Sequence, residues 1–348
     1  MRYTDVQNPS AFPYAVVVQD THGCTFEREG LTGMHEIAKN GPQPTAAPAT
    51  VPPGVLALRP GQRRETARVI HYNLSYVQQG EGDPRDGTIL LLHGLPIGNF
   101  AWRDVLPFLQ GWPVIAPDML GYGLSDHPWV CDVSIWGHAD ALTFLIRQLD
   151  LHNLTIVGFD LGGGVAQVLA TRLVPDRVRA MVLINALCYE RAFAPDWPLP
   201  DMVKRKEPDA PRHTPLDQVL AELRATLPAG VQNQERFQRV LDDYVNQWNS
   251  ELGKQVLYQQ IRQLDVEYSR SVASDLRVLE KPVLVIWSEQ DQITPLKYGQ
   301  RLARELPHAQ LEIVPHAGHL IMEDTPETVG QLISRFVAQL AEAHTSAE

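Results

Sequence analysis

At 348 residues, 44% of them hydrophobic, the chain is long enough to bury a large core and reads as a soluble globular protein of one elaborated domain or two. Lys plus Arg number 30 against 41 Asp plus Glu, a formal charge of −11 with no long basic run, which argues against nucleic acid as a partner. The three cysteines, Cys24, Cys131 and Cys188, are too scattered and odd in number for a disulfide framework or a zinc pattern.

In chain order, Met1 to Asp20 lacks the basic start and apolar run of a secretory leader, and no stretch approaches ~18 consecutive apolar residues. A cytoplasmic location with no membrane partner is therefore the expectation. Residues 1–62 carry little periodicity, and Gly41 to Pro53 is rich in Pro, Ala and Thr, which marks a linker or surface strap. Val69 to Val77 alternates apolar and polar as a half-exposed strand would, and Thr88 to Leu92 is a short apolar run ending at His93-Gly94. Strand Val114-Ile115, a helix near Val133 to Leu149, strand Leu154 to Val157, a helix from Gly162 to Arg172 and strand Ala180 to Ile184 follow. The pattern resumes at Val283 to Trp287 and Leu311 to Val314. This alternation is the signature of an α/β fold with a mostly parallel, doubly wound sheet, which binds ligands beyond the carboxyl ends of its strands.

Between 189 and 275 the strands stop. Phe237, Val240, Leu241, Tyr244, Val245 and Trp248 form one apolar stripe, and Leu257, Ile261, Leu264 and Tyr268 form another. An insertion of this kind between two sheet strands reads as a helical cap over the crevice, dividing the core into 63–188 and 276–348. The stripes are also compatible with a patch for self-association, so an oligomer stays open.

The chemistry starts from Asp160, in Val157-Gly158-Phe159-Asp160-Leu161-Gly162-Gly163-Gly164. It stands where a strand–nucleophile–helix turn of the G-x-S-x-G kind carries its serine. A carboxylate attacks an sp³ carbon by displacement and leaves an alkyl ester on the enzyme, whereas attack on an ester carbonyl would give a reactive anhydride. The substitution points away from esters and towards epoxides or carbon–halogen bonds. The flanking glycines permit a tight turn, and a helix N-terminus favours the ionised, nucleophilic carboxylate; the plainer alternative is a solvent-facing capping Asp. Asp291 opens the loop after the Val283 strand, and His319 follows the last strand in Pro315-His316-Ala317-Gly318-His319. The order Asp160, Asp291, His319 matches nucleophile, acid, histidine.

From about Thr66 to Val337 the chain resembles an α/β-hydrolase of the epoxide hydrolase and haloalkane dehalogenase branch. The residues that carry the resemblance are His93-Gly94-Leu95-Pro96 with Trp102-Arg103-Asp104, the run Asp118-Met119-Leu120-Gly121-Tyr122-Gly123-Leu124-Ser125-Asp126, the Asp160 turn and Ala317-Gly318-His319. The resemblance implies that Asp160 attacks carbon and that His319, oriented by Asp291, activates the water that hydrolyses the ester, a role worth ~10²–10⁴ in rate. It also implies that the backbone N–H groups of Leu95 and Leu161 hold the oxyanion, that no cofactor or metal is needed, and that the substrate is a small apolar organic molecule. His316 reads as structural.

The leaving group is the open point. Dehalogenases of this branch put an indole N–H beside the nucleophile and often an Asn after His-Gly; this chain has Leu161 and Leu95 there, and each missing charge-assisted hydrogen bond is worth about 1.5–3 kcal/mol. Trp102, Trp197 or Trp248 could compensate or could be hydrophobic filling. Fluoroacetate-type dehalogenases use arginine near the nucleophile, and Leu161 and Gly164 offer none. An epoxide oxygen needs only a proton donor, which family members take from cap tyrosines. Tyr268 resembles one by position; Tyr244 and Tyr258 are candidates for its partner, and Tyr189 sits where the cap begins. Pro96 and Trp102 complete the expected substrate contacts. Tyr244 and Tyr268, both on apolar stripes, fit the core equally well. Epoxide hydrolysis ranks first, dehalogenation second. A non-hydrolytic lyase, isomerase or cyclase using Asp160 and His319 as acid and base is the alternative from another class, and a receptor-like binder would have no use for an intact triad.

Overall fold

The computed structural model describes residues 57–83, 87–129, 131–189, 210–264 and 267–345, without the side chains of 268–269 and 344–345. The N-terminal strap up to residue 56 and Trp197 therefore lie outside the described residues. Eight strands form one sheet in the order β1-β2-β4-β3-β5-β6-β7-β8. They are β1 Gln62–Val69, β2 Tyr72–Gln79, β3 Ile89–Leu92, β4 Val114–Pro117, β5 Leu154–Phe159, β6 Val178–Ile184, β7 Val283–Ser288 and β8 Ala309–Val314. β1 and β2 are antiparallel, β2 joins β4 antiparallel, and every pairing from β4 to β8 is parallel.

Burial follows this order. Strands β3, β4, β5 and β7 are buried at every position, as expected of parallel strands covered on both faces, whereas edge strand β1 alternates. The helix Ile135–Gln148 is capped by Ser134, whose hydroxyl accepts the Gly137 N–H at 3.2 Å, and lies within the expected span from Val133 to Leu149.

Three expectations need correction. Val69 to Val77 is not one strand: β1 ends and β2 begins inside it, and the chain reverses at Ile70, φ +56° and 48% exposed. A β-branched residue in the left-handed region carries no turn signal, which is why alternation ran through the reversal. The stripe from Phe237 to Trp248 is not one helix either, but the short pieces Gln234–Gln238, Leu241–Val245 and Asn246–Trp248. All its apolar residues but Val240 are buried. The second stripe holds along helix Glu251–Gln263 and stops at Leu264, so Tyr268 belongs to the separate helix Glu267–Ser271. These helices, together with Leu216–Thr226, occupy the chain between β6 and β7.

Candidate active site

The carboxyl ends of β4, β3, β5, β6, β7 and β8 are consecutive across the sheet, so the loops that follow them meet at one edge. β5 delivers Asp160 in a strained turn, φ +50° and ψ −117°, immediately before helix Leu161–Val168. The strain is held by three backbone bonds to the Asp160 carbonyl, from Gly163, Gly164 and Leu187 at 2.9, 3.3 and 2.9 Å. Glycine is required on both sides of this turn. A Cβ on Gly158 would lie 2.3 Å from the Gly162 carbonyl oxygen, and one on Gly94 would lie 2.7 Å from both Cβ and Oδ1 of Asp160. The Gly94 approach lets the Leu95 N–H donate to Asp160 Oδ1 at 2.9 Å.

His319 faces Asp160 from the loop after β8, its Nε2 3.5 Å from Oδ2, while its Nδ1 is 2.8 Å from Asp291 Oδ2. Asp291 is fixed in turn: Oδ1 accepts the N–H groups of Ile293 and Thr294 at 2.8 Å each, and Oδ2 accepts the Thr294 hydroxyl at 2.6 Å. Asn185, at the end of β6, donates to the His319 carbonyl at 2.8 Å and to Ser288 Oγ at 2.9 Å, and its carbonyl accepts the Thr294 hydroxyl at 3.1 Å. The histidine loop, the acid loop and β6 thus share one hydrogen-bond network.

All three side chains are buried, Asp160 at 1%, His319 at 4% and Asp291 at 5% exposure. Burial alone would lower the His319 pKa, but the Asp291 and Asp160 carboxylates on its two sides outweigh it and push it up to about 10. Asp160 Oδ2 has no hydrogen-bond partner among the described residues. One Asp160 oxygen thus lies beside the His319 ring while its sibling is tied to a backbone N–H.

The expected contacts divide. Pro96 lies in the loop beside Asp160, where its carbonyl accepts the Trp248 indole N–H at 3.0 Å and an N–H of Gln247 Nε2 at 3.2 Å. That bond takes the Trp248 N–H away from any leaving group. Trp102 is wholly buried, and its indole N–H has no hydrogen-bond partner among the described residues. Tyr244 and Tyr258 both have protein partners for their hydroxyls: the Tyr244 hydroxyl is bonded to Glu323 and accepts from Arg103 at 3.0 Å, and the Tyr258 hydroxyl donates to Thr214 at 3.1 Å. Tyr189 lies under the Arg301 guanidinium, 3.6 Å from ring centre to carbon. The Tyr268 side chain lies outside the described residues, and His316 is exposed.

Sequence reasoning missed the supporting groups. Glu323 makes a bidentate pair with Arg103, 2.7 Å on each arm, and Asp324 accepts the N–H groups of Gly318, Gln232 and Asn233 at 2.8, 2.9 and 2.8 Å. Both residues follow His319 closely in the chain, so a carboxylate pair after a histidine motif was the available signal. Tyr122 was also missed as a side chain, although its run was in view. Among the described residues no His, Cys, Asp and Glu cluster is arranged to hold a metal, and no helix is long and apolar enough to cross a membrane.

Comparison with known proteins agrees with this fold. Residues 87–326 match the family model described as alpha/beta hydrolase fold. The chain is 30% identical over 282 residues to haloalkane dehalogenase 2 of Mycobacterium tuberculosis, covering 76% of this chain and 91% of that protein. It is 29% identical over 304 residues to 2-hydroxymuconate semialdehyde hydrolase of Pseudomonas putida, covering 82% and 99%. Among solved structures, haloalkane dehalogenase DbeA from Bradyrhizobium elkani superposes with a TM-score of 0.72 at 22% identity over 81% of this chain and 99% of that one, a likeness of fold. The chain belongs to the α/β-hydrolase fold family, among relatives of the haloalkane dehalogenase branch.

Proposed function

We propose that the protein is a hydrolase in which Asp160 displaces a leaving group from carbon, forming an alkyl ester that a water activated by His319 then cleaves, with epoxides as the substrate class. The observation that carries this reading is the buried Asp160 carboxylate, one oxygen on the Leu95 N–H at 2.9 Å and the other 3.5 Å from His319. In the first step the Oδ2 lone pair attacks carbon and the carbon–oxygen bond of the epoxide opens. Ester formation removes the Asp160 charge, and with it one of the two carboxylates that hold His319 protonated, so the imidazole can turn to base for the second step. The Leu95 N–H then faces the oxygen on which charge develops when water adds to the ester carbonyl. The helical insertion serves as the cap over a small apolar substrate.

An epoxide is favoured over a halide by what surrounds the nucleophile. The side chains at 95 and 161 are leucines, and the Trp248 N–H is already bonded to Pro96, so a departing halide finds no hydrogen-bond donor from these positions. Dehalogenation is the second reading, favoured by the 30% identity to haloalkane dehalogenase 2. Incubating His319→Gln with panels of epoxides and haloalkanes, followed by intact mass, should reveal the ester accumulating on Asp160. A panel that leaves the protein mass unchanged defeats the reading, and the electrophile class that forms the adduct separates epoxide from halide.

A further inference from the structure

We propose that the Tyr122 hydroxyl donates the proton to the oxygen that leaves carbon as Asp160 attacks, so that a residue of the sheet's own loop, not one of the helical insertion, supplies it. The inference rests on the alkyl-ester reading above. After β4 the chain turns back on itself, with the Tyr122 N–H on the Met119 carbonyl at 3.0 Å and the Ser125 N–H on the Tyr122 carbonyl at 3.1 Å. The turn is pinned to β3 by His93, whose Nε2 accepts the Met119 N–H at 3.0 Å while its Nδ1 lies 3.0 Å from the Gly94 carbonyl. Burial lowers the His93 pKa to about 3, which keeps the ring neutral and able to accept.

The Tyr122 ring is wedged edge-on between two residues of the nucleophile's surroundings. The His93 ring is 4.8 Å away and the Trp248 ring 5.5 Å away, centroid to centroid. His93 leads directly into Gly94, which abuts Asp160, and Trp248 holds the Pro96 carbonyl. Tyr122 thus packs against the residue that leads into the Gly94-Leu95-Pro96 loop and against the indole that holds the loop's last carbonyl. It is wholly buried, and its hydroxyl has no hydrogen-bond partner among the described residues. The ring on its other side, His138, is 5.9 Å away and is bonded through Nε2 to Gln260 instead. A buried hydroxyl left without a partner costs about 1–3 kcal/mol, a cost that native structures retain where chemistry needs the group. Burial first, and then the Asp160 carboxylate, raise the phenol's pKa well above its ordinary value, so it stays protonated until an oxygen anion develops beside it. Tyr189, Tyr244 and Tyr258 are each committed to other contacts.

The proton balance closes over the cycle. Asp160 bonds to one epoxide carbon, the carbon–oxygen electron pair moves to oxygen, and the phenol proton passes to that oxygen, leaving phenolate. The phenolate recovers its proton from His319, leaving the neutral imidazole that activates water; cleavage of the ester then regenerates the Asp160 carboxylate, forms the second hydroxyl of the diol and releases one proton, which restores the imidazolium. The net change is epoxide plus water to diol.

The test is the rate at which a panel of terminal aryl and alkyl epoxides forms the ester in the His319→Gln background, read by quenched intact mass. Adding Tyr122→Phe should slow ester formation about 100-fold, whereas 3-fluorotyrosine at the same position, which keeps hydroxyl and shape, should stay within about threefold of the parent. Equal rates with and without Tyr122→Phe overturn the proposal and leave the ester reading standing. A loss with fluorotyrosine as large as with phenylalanine marks a packing role and also overturns it. Absence of any adduct in His319→Gln alone removes the ester reading, and the proposal with it.

Discussion

His319 lies between two carboxylates, and the proposed chemistry neutralises one of them. Because its pKa is raised from 6.5 to about 10 in the folded protein, the protonated ring stabilises the fold fully below about pH 6.5, and that contribution is lost as pH rises through about 10. Asp160→Asn imitates the neutral ester with nearly the same shape. In that variant His319 should titrate at lower pH than in the parent, and the alkaline loss of stability should begin earlier. NMR titration of the His319 ring measures this; unchanged titration would show that Asp160 does not contribute to the shift.

At the scale of elements, charged groups join the apolar contacts that fasten the helical insertion to the sheet. Glu323, on the short helix Ile321–Asp324 just after His319, pairs with Arg103 after β3 and with Tyr244 of helix Leu241–Val245. Its side chain is 2% exposed against 18% for Arg103. Removing one partner of a buried pair strands the other, so Glu323→Gln should cost about 3 kcal/mol in urea unfolding. The neighbouring clasp, in which Asp324 holds Gly318 of the histidine loop and Gln232 and Asn233 of the insertion, should remain protected from hydrogen exchange in that variant. A stability loss within 0.5 kcal/mol, the range of ordinary surface changes, would place the strength of this junction in its apolar contacts instead.

Across the whole molecule, legibility follows the length scale of the signal. The order of strands and the positions of Asp160, Asp291 and His319 at strand ends were readable, because apolar runs and the residue that ends them are local in sequence. The reversal at Ile70 was not, since nothing in its chemistry announces a turn. The breaks within Phe237 to Trp248 escaped because an apolar stripe is compatible with one helix or three short pieces. The Arg103–Glu323 pair escaped for another reason: its members are 220 residues apart in the chain, and charge complementarity at that range is invisible until the fold joins them. Tyr244 and Tyr258 were candidates on position alone, and only their hydroxyl partners show them committed. Tyr122 was hidden inside a run that already had an explanation as a fold signature.

The Leu95 hydrogen bond makes the two oxygens of the Asp160 carboxylate unequal. If Oδ2 attacks and Oδ1 stays against the backbone, the alcohol leaving in the second step carries off an atom with which the enzyme was synthesised, and a solvent atom takes its place. Many cycles in heavy-oxygen water should therefore label the peptide containing Asp160 once and not twice, and the first diol released should hold no isotope. Double labelling would mean that the carboxylate swivels between cycles, and an unlabelled peptide that it never bonds to the substrate.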